Sequence, residues 1–259
     1  MSYLSKLFNL KNTVSIITGA SGYLCSEMAM ALHKSGSSVV ILDKNKSKAN
    51  LVCSDIINNG GKSIAIEIDV TKKSDFINAC DLVLDQFGKI DILINGAGIN
   101  APTKFFEIKE EEWDSILATH LKGTLFSCQV FGRHMISQQK GSVINISSAS
   151  AGPPLSKAFA YSVAKSGIKN LTQNLAREWA VHGVRVNALR PGFFPTEWSK
   201  KNFITKKREN AILNHTPMGR YGHPKELVGA VLWLSSENAS SFVTGAEIAV
   251  DGGFSSMTI

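Results

Sequence analysis

Short, largely apolar runs alternate along the chain with longer segments whose apolar residues return every three or four positions. The runs fall at residues 14–17, 39–42, 64–68, 92–94, 143–146, 184–189 and 248–250. Nearly continuous apolar runs rich in β-branched residues predict strands buried on both faces. The segment between the third and fourth runs has the other period. Its Phe76, Ala79, Cys80, Val83, Leu84 and Phe87 share one helical face. Repetition of this unit predicts an α/β fold: one doubly wound (Rossmann-type), mostly parallel seven-stranded sheet with helices on both faces.

Candidate chemistry sits where the runs end. In "SIITGASGYLCSEMA" (15–29) a strand enters a glycine-containing turn and a helix leaves it. Gly19 can supply the sharp turn and Gly22 a close backbone approach. Backbone N–H groups at such a helix start favour a phosphate. Asp43 closes the second run 24 residues after Gly19. A carboxylate there accepts hydrogen bonds from a ribose and repels a 2′-phosphate. The glycine pattern alone also describes a plain βα turn, and Asp43 tips it toward a dinucleotide. "GGKS" (60–63) is no P-loop, because Ile56 stands where that motif needs glycine. It reads as a turn before the third strand. In "YSVAK", Tyr161 and Lys165 are four apart and face the same way on a helix, and Ser148 in "INISS" precedes Tyr161 by thirteen residues.

With these residues the sequence resembles the short-chain dehydrogenase/reductase family over essentially its whole length. The matching segments are "TGASGYLC", "DV" at 69–70, "NGAG" at 95–98, "ISS" at 146–148, "YSVAK" at 161–165, "RPGFFPT" at 190–196 and "VDGG" at 250–253. The resemblance implies that Gly19, Ser21, Gly22, Tyr23 and Leu24 hold a pyrophosphate. It implies Asp43 on the adenosine ribose, Asp69 and Val70 beside the adenine, and Asn95, Gly96 and Ala97 beneath the adenosine half. Pro191, Gly192, Phe194 and Thr196 would hold the nicotinamide end, with Tyr161 and Lys165 also touching the cofactor. Hydride transfer between an alcohol and nicotinamide needs a proton acceptor beside the hydroxyl. A free phenol, with a pKa near ~10, is a poor base at neutral pH. Lys165 and the cationic nicotinamide would favour its phenolate. Tyr161 is therefore the expected general acid/base, Lys165 its tuner and ribose anchor, and Ser148 the hydrogen-bond partner of the substrate oxygen. Asp43 selects NAD; Lys44, Lys46 and Lys48 keep NADP as the alternative.

Two positions depart from the family pattern. Tyr23 and Cys25 stand where such turns often carry glycine, a shape similar to the branch of mannonate (fructuronate) oxidoreductases. The segments "HTPMGRYG" (215–222) and "PGFFPTE" (191–197) are similar to that branch too. In "HLKG", His120 occupies the place of the family's usual asparagine. It is expected to hold a linking water or shuttle a proton with a pKa near ~6.5, unless only its backbone carbonyl matters. The segment 193–216 is the expected substrate loop. Its Phe193, Phe194 and Trp198 could wall a pocket, and Lys200, Lys201, Lys206, Lys207 and Arg208 could attract a carboxylate or simply form a solvated face. Asn100, Ser150 and Ser156 could add polar contacts. The branch resemblance implies a sugar acid such as mannonate or fructuronate. The alternatives are a 3-oxoacyl thioester reductase, a polyol or nucleotide-sugar dehydrogenase, and a catalytically silent dinucleotide-binding protein.

Composition trims this picture. A chain of 259 residues with 44% hydrophobic and 19% charged residues is an ordinary globular mix. No linker, repeat or low-complexity tract divides it, which suggests one domain over 1–259. No apolar run approaches the ~20 residues of a membrane span, and the first 13 residues lack a secretion signal. The expected location is the cytoplasm. There, N-x-S/T triplets at Asn145, Asn170, Asn214 and Asn238 are silent. The four cysteines form no C-x-x-C pair and read as buried hydrophobes rather than disulfides or metal ligands. A net charge of +7 is scattered, without the basic-aromatic array of a nucleic-acid surface. It suits anionic small molecules instead. The resemblance adds a homo-tetramer, with the C-terminus and the helix around 159–181 as interface candidates.

Overall fold

The computed structural model describes residues 2–202 and 204–257. In chain order the elements are α1 (Tyr3–Leu7), β1 (Val14–Thr18), α2 (Tyr23–Lys34), β2 (Ser38–Asp43), α3 (Lys46–Asn58) and β3 (Ser63–Glu67). They continue with α4 (Lys73–Phe87), β4 (Ile92–Asn95), α5 (Glu110–Leu117), a π-helical turn (Ala118–Lys122), α6 (Gly123–Ser137) and β5 (Gly141–Ile146). After these come α7 (Phe159–Trp179), β6 (Val184–Pro191), α8 (Glu197–Asn202), α9 (Lys206–Asn214), α10 (Val228–Ser235), α11 (Glu237–Ser240) and β7 (Glu247–Val250). Each apolar run of the sequence falls on a strand. The third is shifted by one residue at each end, because Ser63 rather than Ile68 joins the ladder.

The seven strands form one sheet in the order β3-β2-β1-β4-β5-β6-β7, with every pairing parallel. Period-2 alternation divides its side chains between two layers. Val39, Ile41, Ile92, Ile94, Ile144 and Leu189 face α2, α3 and α10. Val40, Leu42, Leu93, Val143, Val184 and Val186 face α4, α6 and α7. The expected doubly wound fold is the observed one. The "GGKS" segment is the expected turn: α3 stops at Asn58, Gly60 takes φ +82°, and β3 opens at Ser63. All four cysteines are free and buried. Among the described residues no helix is long and apolar enough to cross a membrane.

β1 has β2 on one side and β4 on the other, so the chain leaves the centre of the sheet in opposite directions. Beyond the carboxyl ends of two such strands a crevice opens. Thr18 and Asn95, partners in register, end the two strands below it.

Candidate active site

A cleft of about 890 Å³ occupies that crevice. Gly19, Ser21, Gly22, Tyr23, Leu24, Asp43, Asp69, Val70, Gly96, Ala97, Ser148, Tyr161, Pro191, Gly192, Phe194 and Thr196 all line it. Three of the expected catalytic and cofactor-binding residues do not. Asn95 is buried below the cleft and donates through Nδ2 to Asn145 Oδ1 at 2.8 Å. Lys165 and His120 lie behind Tyr161, 3% and 2% exposed.

The first turn is shaped for close backbone approach. Gly19 sits at φ +65°, and a Cβ there would lie 2.7 Å from Ala97 Cα. The thiol at the usual third-glycine position is accommodated by a glycine opposite. A Cβ on Gly96 would fall 2.3 Å from Cys25 Sγ. Burial pushes that thiol up to about 12, so it is an inert packing group. Tyr23 opens α2 at the rim, 47% exposed. Asp43 Oδ2 accepts the Ser21 N–H and Oδ1 the Asn45 N–H, each at 3.0 Å. These bonds fix the carboxylate at the end of β2 with lone pairs to spare. Hydrogen bonds from the Thr71 hydroxyl and N–H hold Asp69 down at about 2. Lys44 is paired with Asp69 at 3.2 Å. These groups fit the adenosine half of a dinucleotide.

Ser148 ends the strand-to-turn passage after β5, and its Oγ accepts the Ser150 N–H at 3.2 Å. Tyr161 stands in the first turns of α7 with Ser148 beside its phenol. Lys165 Nζ, one turn on, donates to the Ile146 carbonyl at 2.7 Å and lies 5.6 Å from the Tyr161 ring centre. Burial lowers the Lys165 ammonium to about 8, against a smaller upward pull from Cys25. Burial also raises Tyr161, and Ser148 offsets this in part. The expected phenolate is therefore not favoured by the chain alone. Desolvation raises the phenol by more than Ser148 lowers it, and the free site holds a neutral phenol.

His120 sits at the centre of the π-helical turn, a widening of the helix that often marks a functional site. Its ring meets Tyr161 edge-on, centres 5.1 Å apart at 88°. Nε2 lies 2.6 Å from Ile99 O and 3.1 Å from Ile99 N. Nδ1 is buried and unpartnered among the described residues. Burial first, and the charge of Lys165 second, push the imidazole down to about 3. Of the roles open to His120, a shuttle titrating near neutrality is opposed by this desolvation, whereas holding a water or acting through the backbone carbonyl is not. The His120 carbonyl accepts the Thr124 hydroxyl at 2.7 Å. Gly98 is needed here, since a Cβ on it would lie 2.2 Å from the ring.

Toward the substrate loop the walls include Asn100, Ser150, Lys157, Phe193, Phe194 and Arg208. Ser156 is tied to this wall through Arg208. The Trp198 side chain lies outside the described residues. Lys200 and Lys206 pair with Glu197 and Glu209 at 2.8 and 2.9 Å and are not part of the lining. Lys157 is an addition to the sequence reading. It adopts φ +58° just before α7, and no spacing rule marks it.

The family described as enoyl-(acyl carrier protein) reductase matches residues 19–255. An uncharacterized oxidoreductase of Bacillus subtilis (strain 168) is 38% identical over 266 residues, covering 95% of this chain and 96% of its own. A solved structure from Haemophilus influenza, provisionally named a D-mannonate oxidoreductase and holding NAD, superposes with a TM-score of 0.92. It is 36% identical and covers 98% of this chain and 99% of that one. A gluconate 5-dehydrogenase from Burkholderia cenocepacia J2315, in complex with NADP and tartrate, has a TM-score of 0.94 at 30% identity, over 99% and 100% of the two chains. This chain, with its serine, tyrosine and lysine gathered at the sheet's central crevice, belongs to the short-chain dehydrogenase/reductase family and is an oxidoreductase acting between alcohol and ketone groups.

Proposed function

We propose that the protein is an NAD(H)-dependent dehydrogenase of sugar acids, interconverting a secondary alcohol and a ketone on an anionic, polyhydroxylated substrate of the mannonate/fructuronate kind. The observation that carries this reading is the polarity of the cleft. Its lining carboxylates, Asp43 and Asp69, both lie at the adenosine end, whereas the wall beside Ser148 and Tyr161 carries Lys157 and Arg208 and no acid. Relatives named for mannonate and gluconate chemistry support the sugar-acid choice.

A bound nicotinamide dinucleotide would supply the hydride acceptor or donor. The turn from Gly19 to Leu24 would take its pyrophosphate, Asp43 its ribose, and Asp69, Val70, Gly96 and Ala97 its adenosine surroundings. Pro191, Gly192, Phe194 and Thr196 would line the nicotinamide end. Asp43 supports NAD over NADP because a 2′-phosphate would meet its charge. The solved relatives hold one cofactor or the other. Ser148 would hydrogen-bond the reacting oxygen, and Tyr161 would give it a proton in reduction or take one in oxidation. Lys165, held on the Ile146 carbonyl, would place its charge beside the phenol and reach the nicotinamide ribose. The whole chain acts as one unit with 193–216 as its substrate segment, in the cytoplasm, as a tetramer.

Tyr161→Phe is expected to cut turnover by at least about a thousandfold, with the NAD(H) dissociation constant unchanged by fluorescence titration. Retained turnover would defeat the assignment. A panel of sugar acids, polyols and acyl thioesters, followed by nicotinamide absorbance with each cofactor, tests the substrate. The thioesters belong in it because the matched family is described by an acyl-carrier reductase. Activity on thioesters alone, or a clear NADP(H) preference, overturns the corresponding part.

A further inference from the structure

Of the five cations in the substrate segment, Lys200, Lys201, Lys206, Lys207 and Arg208, one alone lines the cleft. Arg208, on α9, reaches across to the loop that leads into α7. Nη1 donates to Ser156 O at 3.3 Å and Ser156 Oγ at 3.0 Å, and Nη2 donates to the same carbonyl at 3.3 Å. A guanidinium has five N–H groups in a rigid fork. These three bonds use the outer Nη1 hydrogen and the end-on Nη1/Nη2 pair. The Nε hydrogen and the adjacent Nη2 hydrogen have no partner among the described residues. Together they form the side edge, one of the two faces on which a guanidinium grips a carboxylate bidentately. No acidic side chain is paired with Arg208 among the described residues, unlike Lys200 and Lys206. Its tether, Ser156, stands five residues before Tyr161 on the same stretch of chain. The distance from guanidinium to phenol is thereby governed by one short segment.

We infer that Arg208 is the specificity-determining residue that recognises the substrate's carboxylate, through its Nε/Nη2 edge, while its other edge fastens α9 to the Ser156 loop. The inference rests on the sugar-acid reading above and names the group that enforces it. An anion so held has its carbon chain directed along the wall from Arg208 toward Ser148 and Tyr161. A neutral polyol gains nothing from the same edge.

The test is Arg208→Gln and Arg208→Lys, assayed with six-carbon aldonates and with polyols of the same length, alongside NAD(H) titration. Loss of a charge-assisted bidentate contact is expected to lower aldonate kcat/KM by roughly 10- to 100-fold, mainly through KM. Arg208→Lys should recover only part of this, since the ammonium lacks the fork. Polyol kcat/KM should lose only what the Ser156 tether contributes, falling several-fold less than aldonate kcat/KM, with the cofactor dissociation constant little changed. Aldonate kinetics unchanged in Arg208→Gln would overturn the inference while leaving the sugar-acid reading intact. A parallel fall for aldonates, polyols and cofactor binding would also overturn it, reducing Arg208 to a structural tie. A wild-type enzyme inert toward every sugar acid but active on neutral substrates would sink the reading and the inference together.

Discussion

In the free protein the Tyr161 phenol lies against Ser148, with Lys165 Nζ 5.6 Å from its ring and tied to a backbone carbonyl. Burial raises the phenol's pKa, so the group is protonated across the neutral range. That state suits proton donation to a ketone and must be left before an alcohol can be deprotonated. Alcohol oxidation is thus expected to accelerate with pH between about 6 and 9, by up to about tenfold per unit, while ketone reduction stays level or falls. Initial rates in both directions check this. His120 carries a second residue-scale consequence. Its folded pKa of about 3 lies below the ordinary 6.5. Between those values the unfolded chain binds the extra proton, so stability rises with pH there and is lost on acidification. His120→Asn should flatten the fall in urea midpoint between about pH 7 and pH 4.5, by at most about 1.4 kcal/mol per pH unit. Identical slopes in the two proteins would show that the ring is not held neutral. Spacing made Ser148, Tyr161 and Lys165 legible in the sequence. The protonation of His120 was not, since desolvation depends on what the fold packs around a side chain. Nor did any local signal set Arg208 apart from the four lysines around it.

At the scale of elements, the nucleotide-type turn works through pairs of backbones brought unusually close. Cys25 on α2 and Gly96 after β4 share one small space, the glycine yielding where the thiol intrudes. Gly96→Ala is expected to cost about 1–3 kcal/mol by overpacking. Cys25→Ala in the same chain should return at least half of it. Urea midpoints for the two single variants and the double variant give the coupling directly, and additive effects would refute the shared-space account. Strands were readable from their apolar runs because a covered parallel sheet needs little else. Residue 68 was wrongly drawn into the third, since Ile68 is as apolar as its neighbours yet lies past the end of the ladder. The division of the substrate segment into α8 and α9 gave no comparable signal. It is short, polar and cation-rich, and its apolar residues mark no continuous stripe.

For the molecule as a whole, the strand order is what turns scattered motifs into a site. Residues from β1, β2, β4, β5 and β6 meet because every strand in the sheet points the same way. The buried titratable groups also set its alkaline limit. Cys25 and Cys128 are raised from 9.0 to about 12 and Cys80 to about 11. Stability contributed by these neutral thiols is full below pH 9 and lost as pH climbs toward the folded values. Lys165, lowered from 10.5 to about 8, works the other way in the window between those values. Three thiols and the Tyr161 phenol, also raised by burial, against one amine predict a stability maximum near about pH 9 and a decline beyond it. Thermal unfolding midpoints from about pH 7 to pH 11 test this; a steady rise across that range would contradict it.

The wide turn at Ala118–Lys122 has a bearing on how such a histidine can be gained or lost. A π turn holds one residue more than the α-helical path it replaces. Deleting a single codon there would restore a regular helix through α5 and α6 and change which residue of the turn faces Tyr161. The imidazole beside Tyr161 is in this sense a matter of length as much as of identity. A homologue trimmed by one residue here could keep a histidine in its sequence and present another side chain to the phenol.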